Sequence, residues 1–179
     1  MGKGLSGGKI VVRVPYDAAF RAEENVIAGN VIGYGGTSGQ IFINGQAGER
    51  FGIRNSGMTL VAEGIGDHGC EYMTGGRVLI LGSTGVNFAA GMTGGLAYVY
   101  DESGDFDLRC NVESVDLESV QPGSDAEAEI LDLLHRHVQE TGSHKAARIL
   151  ADWQDYRPRF VRVFPVEYRH ALQAGLRGM

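Results

Sequence analysis

Residues 39–99 read GQIFINGQAGERFGIRNSGMTLVAEGIGDHGCEYMTGGRVLILGSTGVNFAAGMTGGLAYV, and this stretch repeats itself every 18 or 19 residues. A glycine followed by a short apolar run recurs at Gly39 (GQIFI), Gly57 (GMTLV), Gly76 (GRVLI) and Gly95 (GLAYV). A period this short has no room for a strand plus a long helix in each unit. It matches one coil of a parallel β-solenoid, in which each turn buries its apolar face by stacking on the next turn.

The repeat divides the chain into two parts. Residues 4–13 form a further unit, residues 14–26 interrupt the period as an insertion between coils, and the repeat then continues to about residue 111. Helical periodicity replaces it afterwards. We therefore predict a mainly β fold, in which a single-stranded right-handed parallel β-helix spans residues 1–112 and an α-rich segment, residues 113–179, packs on it.

The spacing of the aliphatic residues argues against a left-handed hexapeptide solenoid. That fold needs an aliphatic residue at every sixth position, but the series that starts at Ile41 reaches Glu71, and the 19-residue spacings break the register. The 28 glycines lack the three-residue period of collagen, and prolines number only four. The glycines fall instead where a solenoid must turn sharply. Asn55 is expected to cap one of these turns through its side-chain amide.

Alternation along each strand predicts which side chains face the solenoid interior. The predicted inward residues are Ile10 and Val12, Ile41 and Ile43, Thr59 and Val61, Val78 and Ile80, and Ala97 and Val99. The residues between them are predicted to point outward: Val11, Phe42, Leu60, Leu79 and Tyr98. A continuous outward apolar stripe is unfavourable in water. Either the C-terminal helices or a partner domain must therefore cover it.

Capping signals predict the helices of the C-terminal segment. Ser124 and Glu127 form a capping box that begins a helix, and Gly142 ends that helix. Ser143 is predicted to cap a second helix. Residues 159–164 alternate like a strand, and Pro165 begins a last short helix that we expect to end near residue 173.

Charge and cysteine usage limit the class of protein. The net charge of −6 argues against a nucleic-acid binder, which needs a basic face. No apolar stretch reaches the roughly 18 residues of a membrane helix. Cys70 and Cys110 lie far apart and form no CxxC motif, which is typical of a reducing compartment. We therefore expect a cytoplasmic protein without a membrane or nucleic-acid partner.

Two local clusters resemble functional sites, and we interpret both as structural. The glycine-rich residues 33–39 resemble a phosphate loop, but a strand follows them where a nucleotide-binding loop requires a helix. Asp67, His68, Cys70 and Glu71 are metal-capable, yet Asp67, His68 and Cys70 lie around a turn where successive side chains diverge, and no second cluster supplies further ligands. The sequence thus predicts no catalytic, cofactor-binding or metal-binding residue.

Arg50 and Arg54 are the strongest candidates for recognition. Two guanidinium groups can hold a carboxylate or a phosphate. They can equally pair with Glu49, Glu63 or Glu71 on adjacent coils, or reach a partner domain. Together with the outward stripe, they give the candidates for interdomain contact: Val11, Phe42, Leu60, Leu79, Tyr98, Arg50 and Arg54.

Long stretches of the chain resemble one known family. GERFGIRNSG (48–57), GDHGCEYMTGGRVLILG (66–82) and NFAAGMTGGLAYVYD (87–101) are similar to the C-terminal glycine-repeat domain of the glutamate synthase large subunit, as are the opening (2–13) and the tail (160–172). The resemblance implies a right-handed β-helix without catalytic residues. It also implies partners, namely a glutaminase domain, a synthase domain that carries FMN and an iron–sulfur cluster, and an FAD-containing small subunit.

The favoured hypothesis is therefore a non-catalytic interdomain scaffold of a glutamate synthase, which makes glutamate from glutamine and 2-oxoglutarate. The alternative is a stand-alone β-helix interaction subunit of another oxidoreductase, similar to the glycine-repeat subunit of formylmethanofuran dehydrogenase. A third hypothesis is a solenoid enzyme with its own small-molecule site. The large subunit is several times longer than these 179 residues, so the chain is either an excised domain or a stand-alone relative.

Overall fold

The structure, a computed structural model, describes residues 1–177. It confirms the predicted β-solenoid, which has about four turns and is followed by a helical segment. The strands are β1 (Ser6–Val12), β2 (Val26–Ala28), β3 (Ser38–Ile43), β4 (Gln46–Ala47), β5 (Ser56–Ala62), β6 (Thr74–Ile80), β7 (Gly94–Tyr100), β8 (Val115–Ser119) and β9 (Phe160–Pro165). The helices are α1 (Phe106–Arg109), α2 (Asp125–Thr141), α3 (His144–Ala151), α4 (Trp153–Tyr156) and α5 (Val166–Arg177).

One sheet runs the length of the molecule in the order β1-β3-β5-β6-β7-β9-β8. The first five of these strands, one from each successive coil, pair in parallel. A second, two-stranded sheet of β2 and β4 forms part of another side of the solenoid. Successive strands are parallel because the chain completes one full coil before it returns to the sheet.

Two strands outside the repeat close the sheet at one end, and one of them, β9, confirms the strand predicted at residues 159–164. β9 pairs antiparallel with β7, and β8 pairs antiparallel with β9. In the interior of the solenoid, Phe106 of α1 is buried against the ring of Phe88, with 5.4 Å between the ring centroids. The short helix α1 therefore covers the end of the core. The reversed strand direction stops the parallel stacking of coils here.

The predicted register is wrong in one strand, β5. Leu60 pairs with Ile41 on one side and with Val78 on the other, and it lies inside the solenoid. Val61 points outward. The prediction counted β5 from Gly57, but Met58 is the residue that stands opposite Gly39 and Gly76 in the ladder, so the count began one residue too early. A strand counted one residue out of register has its two faces exchanged.

The C-terminal helices cover the outer face of the sheet. Ile130, Leu133 and Leu134 of α2 join an apolar layer with Phe42 and Leu79 of the sheet. The predicted caps are confirmed. The Ser124 side chain accepts a hydrogen bond from the Glu127 N–H, and Gly142 ends α2 with a left-handed backbone. α5 begins after Pro165 as predicted, but it continues to Arg177, beyond the predicted end.

Candidate functional site

The outer stripe is covered by the chain's own helices. Phe42, Leu79 and Tyr98 are buried under the helical segment, so they offer no surface to another domain in this arrangement. Leu60 does not belong to the stripe at all, because it faces the solenoid interior. Only Val11, on the edge strand β1, remains 37% exposed. The proposed interdomain role is thereby reduced to Val11, Arg50 and Arg54.

A buried carboxylate fastens the helices to the solenoid. Glu63, which directly follows β5, is 1% exposed, and it accepts a hydrogen bond from the hydroxyl of Ser143, the residue that caps α3. The Asn44 side-chain amide donates to both Glu63 oxygens, at 3.3 and 3.2 Å. The imidazole of His137, fully buried in α2, lies 3.4 Å from Glu63 Oε1. Glu63 is therefore not a partner of Arg50 or Arg54, which was one of the alternatives that the sequence left open.

The insertion at residues 14–26 is held to the helices by an ion pair. Arg148 of α3 donates to Glu23 Oε1 at 2.7 Å, and Arg21 donates to the same oxygen at 2.9 Å. Burial raises the pKa of the Glu23 carboxyl, but the hydrogen bonds to Arg148, the backbone and Arg21 outweigh it and lower the pKa from 4.5 to about 2. A cleft of about 270 Å³ lies between the insertion and the turn that joins α2 to α3.

The third side of each coil has an unusual backbone, and we call it the ladder face: residues 31–35, 50–54, 68–72 and 87–91. In each of these segments, every second residue has a positive φ, between 54° and 72°. In the second segment Arg50 and Arg54 donate their N–H groups to the next coil, at 2.8 and 2.9 Å, and Gly52 donates to the preceding coil at 2.8 Å. These bonds join the coils on the side that has no β-sheet.

Three metal-capable residues lie on the ladder face and Asp67 directly precedes it; the side chains of His68 and Glu71 contact each other, whereas those of Asp67 and Cys70 have other neighbours. His68 Nδ1 lies 2.6 Å from Glu71 Oε1, Asp67 accepts the Val86 N–H at 2.8 Å, and Cys70 points into the core. Within residues 1–177, no group of three or more His, Cys, Asp or Glu side chains is placed to hold a metal ion.

Both cysteines are buried and have weakly acidic thiols. Burial, with the nearby Cys110 thiol as a smaller contribution, raises the pKa of Cys70. Burial raises the pKa of Cys110 to about 12. Because the thiolate is the nucleophile and the metal ligand, these residues are poorly suited to either role.

Arg50 and Arg54 project from the ladder face into solvent. Within the described chain, neither guanidinium has an Asp or Glu oxygen within ion-pair distance. The nearest aromatic partner is Tyr72, whose ring centroid lies 5.9 Å from Arg54 Cζ and whose side chain is 55% exposed. The sequence did not identify Tyr72, although it stands at the same position of its coil as Arg54, 18 residues later.

The glycine-rich residues 33–39 serve packing. A Cβ on Gly33 would lie 3.2 Å from Leu60 Cδ1, and one on Gly36 would overlap the side chain of Met58. The glycines therefore make room for the core of the next coil. No helix among residues 1–177 is both long and apolar enough to cross a bilayer.

Known proteins match almost the whole chain. The family model described as the GXGXG motif matches residues 1–166. The chain is 54% identical to the glutamate synthase [NADH] of Schizosaccharomyces pombe, over 97% of its own length and 8% of the relative's. It is 50% identical to the glutamate synthase [NADPH] large chain of Bacillus subtilis, over 96% of its length and 11% of the relative's.

A third relative is named for another electron donor. The chain is 46% identical to ferredoxin-dependent glutamate synthase 2 of Synechocystis sp., over 97% of its length and 11% of the relative's. The chain thus spans about a tenth of the length of each of these curated relatives. With its glycine repeats stacked as successive coils and a family match over residues 1–166, this chain belongs to the GXGXG motif family.

Proposed function

We propose that this chain is a non-catalytic scaffold segment of a glutamate synthase, the enzyme that makes glutamate from glutamine and 2-oxoglutarate. The observation that carries the proposal is identity of 46 to 54% with three glutamate synthases over at least 96% of the chain. Their names give three different electron donors, NADH, NADPH and ferredoxin. A segment shared by all three has a role that does not depend on the donor.

The chemistry of the chain supports a structural role. Iron–sulfur clusters are bound by several cysteine thiolates, whereas this chain has two cysteines, both buried in the solenoid core. The glycine run that resembles a phosphate loop packs against Met58 and Leu60 instead. These residues do not fit an iron–sulfur cluster or FMN. We assign both groups to other domains of the parent synthase.

The packing indicates a rigid segment, as expected of a scaffold between domains. Coils are joined by the sheet on one side and by the ladder bonds on another, and the helices are fastened to the sheet through Glu63. The partners in this proposal are the glutaminase domain and the FMN-binding synthase domain of a cytoplasmic enzyme, with an FAD-containing small subunit as a further partner. A stiff segment between two catalytic domains keeps their distance constant.

The proposal is tested in the synthase subunit that carries this segment. Val78 is fully buried inside the solenoid, so Val78→Asp places an unpaired charge there and unfolds the coils. We expect flavin content and glutamine hydrolysis to persist, while the glutamate formed per glutamine consumed falls. Val86→Asp is the matched control, because Val86 is 52% exposed and its substitution should leave this ratio unchanged.

Two results would overturn the proposal. One is a wild-type ratio in the Val78→Asp subunit, after limited proteolysis has shown that its solenoid is unfolded. The other is that the purified 179-residue protein, on its own, binds flavin or hydrolyses glutamine.

A further inference from the structure

Two arginines of the ladder face differ from the other arginines of the molecule. Eight arginines lie within ion-pair distance of a carboxylate: Arg21, Arg77, Arg109, Arg136, Arg148, Arg157, Arg162 and Arg169. Among the described residues, Arg13, Arg50, Arg54 and Arg159 have no such partner. Arg13 donates instead to the Tyr16 hydroxyl and Arg159 to the Glu102 carbonyl, whereas the side chains of Arg50 and Arg54 make neither an ion pair nor a hydrogen bond within the described chain.

Two carboxylates of the next coil, those of Asp67 and Glu71, are already engaged. Asp67 Oδ1 accepts the Val86 N–H at 2.8 Å. Glu71 Oε1 lies 2.6 Å from His68 Nδ1 and accepts from the Asn87 amide at 3.2 Å. Both acidic side chains are thus held towards the following coil. The two arginines are left free for a partner outside the described chain.

The backbone at these arginines is strained, and its position is fixed. Arg50 and Arg54 have φ values of 57° and 54°, a conformation that costs a residue with a Cβ roughly 1–2 kcal/mol relative to glycine. The position of Arg54 is occupied by Gly35 one coil earlier and by Gly91 two coils later. Val31 and Ala89 share this conformation, so it belongs to the ladder face as a whole, but at the Arg54 position the chain keeps an arginine where two other coils have glycine. The ladder bonds also hold both Cα atoms in place.

Tyr72 extends the same surface. Its ring lies between Arg54 and the next coil, where a Cβ on Gly91 would sit 2.6 Å from ring carbons. The exposed ring thus offers an apolar contact beside the two cations. Arginine and tyrosine side by side are typical of the centres of protein–protein interfaces.

We propose that Arg50, Arg54 and Tyr72 dock an acidic polypeptide segment of a neighbouring domain of the same synthase, a proposal that rests on the function proposed above. Each guanidinium binds a carboxylate of that segment, and the Tyr72 ring packs against the chain between the carboxylates. The partner is polypeptide rather than nucleic acid, because two arginines on a chain of net charge −6 cannot neutralise a phosphate backbone.

A carbodiimide cross-link identifies the partner in the full synthase subunit. Arg50→Lys with Arg54→Lys keeps the positive charges and introduces amines that carbodiimide joins only to carboxylates in contact. We expect mass spectrometry to find both amines linked to Asp or Glu residues outside these 179 residues. Arg13→Lys is the matched control, because Arg13 is exposed and its partner is Tyr16. Links to Glu49, Asp67 or Glu71 alone, or no links, overturn the proposal.

A charge reversal measures how strongly the surface binds. The subunit is cut by a site-specific protease immediately before this segment, and the release of the segment is followed by gel filtration. We expect Arg50→Glu with Arg54→Glu to speed release at least about tenfold, since the loss of buried charge pairs acts mainly on dissociation. Release at the wild-type rate overturns the docking proposal. If Val78→Asp still lowers the glutamate ratio in that case, the scaffold function stands without it.

Discussion

Gly94→Ala tests the close stacking of coils at Gly57, Gly75 and Gly94, which lie at or next to the start of β5, β6 and β7. Gly94 has no positive φ, so the substitution adds only a methyl group. That Cβ would lie 2.8 Å from the carbonyl carbon of Thr74 in the preceding coil, and closer still to its oxygen. Gly57 and Gly75 have the same relation to Thr37 and Ser56, at 3.0 and 2.9 Å from their carbonyl carbons. The obstacle is backbone, which cannot rotate away as a side chain can.

The cost follows from the distance that the coils must move apart. Ordinary contact for a Cβ begins near 3.4 Å, so the Thr74 carbonyl carbon must recede by about 0.6 Å and its oxygen by more. The Thr93 N–H, now 2.9 Å from Met73 O, then reaches the limit of a hydrogen bond. Overpacking costs about 1–3 kcal/mol and each weakened bond about 1 kcal/mol. We expect a loss of about 3 kcal/mol and a melting temperature about 10 °C lower.

The assay is thermal and urea unfolding, followed by circular dichroism and by the fluorescence of the single tryptophan, Trp153. Gly175→Ala is the matched control. A Cβ there meets nothing within 4 Å, and the residue lies in α5, so the substitution should raise stability by about 0.5–1 kcal/mol. If Gly94→Ala melts at the wild-type temperature, the coils are not packed as closely as described, and the steric explanation for Gly57, Gly75 and Gly94 is wrong.

Three further perturbations probe the helices, the ion pair and the thiols. Leu79→Asp should destabilise the isolated chain by several kcal/mol, because α2 covers Leu79. The control Val86→Asp should change stability by less than about 0.5 kcal/mol. Equal melting temperatures of the two variants would show that the helices do not cover the outward stripe. The Glu23–Arg148 pair has a lowered carboxyl pKa, so its stabilisation is present above pH 4.5 and is lost as the pH falls towards about 2. Arg148→Met should therefore lower the melting temperature at neutral pH and have little effect near pH 2, and a pH-independent difference would refute this. Cys70 and Cys110 should resist a thiol-reactive dye in the native protein and react in urea, whereas fast native labelling would show that the core is open.

The solenoid itself was predictable because its signals are local. Leading glycines and alternating aliphatic residues recur with the period of one coil, and Asn55 was correctly predicted to cap a turn. Its amide oxygen accepts the Met58 N–H at 2.8 Å, and its amide nitrogen donates to Met58 O at 3.1 Å. The capping residues of α2 and α3 were likewise found from a few neighbouring positions. Such features depend on residues close in sequence.

The remaining features depend on contacts that no short window contains. The register of β5 was miscounted because Met58 stands where the neighbouring strands have Gly39 and Gly76, and the pairing with those strands, not the local sequence, shows this. Positive φ at Arg50, Arg54 and Tyr72 is imposed by bonds to adjacent coils, and nothing about these residue types predicts it. Glu63 and Ser143 are 80 positions apart, so their contact could not be read from spacing.

The antiparallel strand β9 has a consequence for how the fold can change in length. It ends the stack at β7, so whole coils can be gained or lost elsewhere in the stack without disturbing that end. Each coil uses 18 or 19 residues and advances the stack by one strand spacing, about 4.8 Å. The length of the solenoid therefore changes only in steps of about 4.8 Å, which a point substitution cannot adjust continuously. In the scaffold role that we propose, the distance between the two attached domains would change in the same steps.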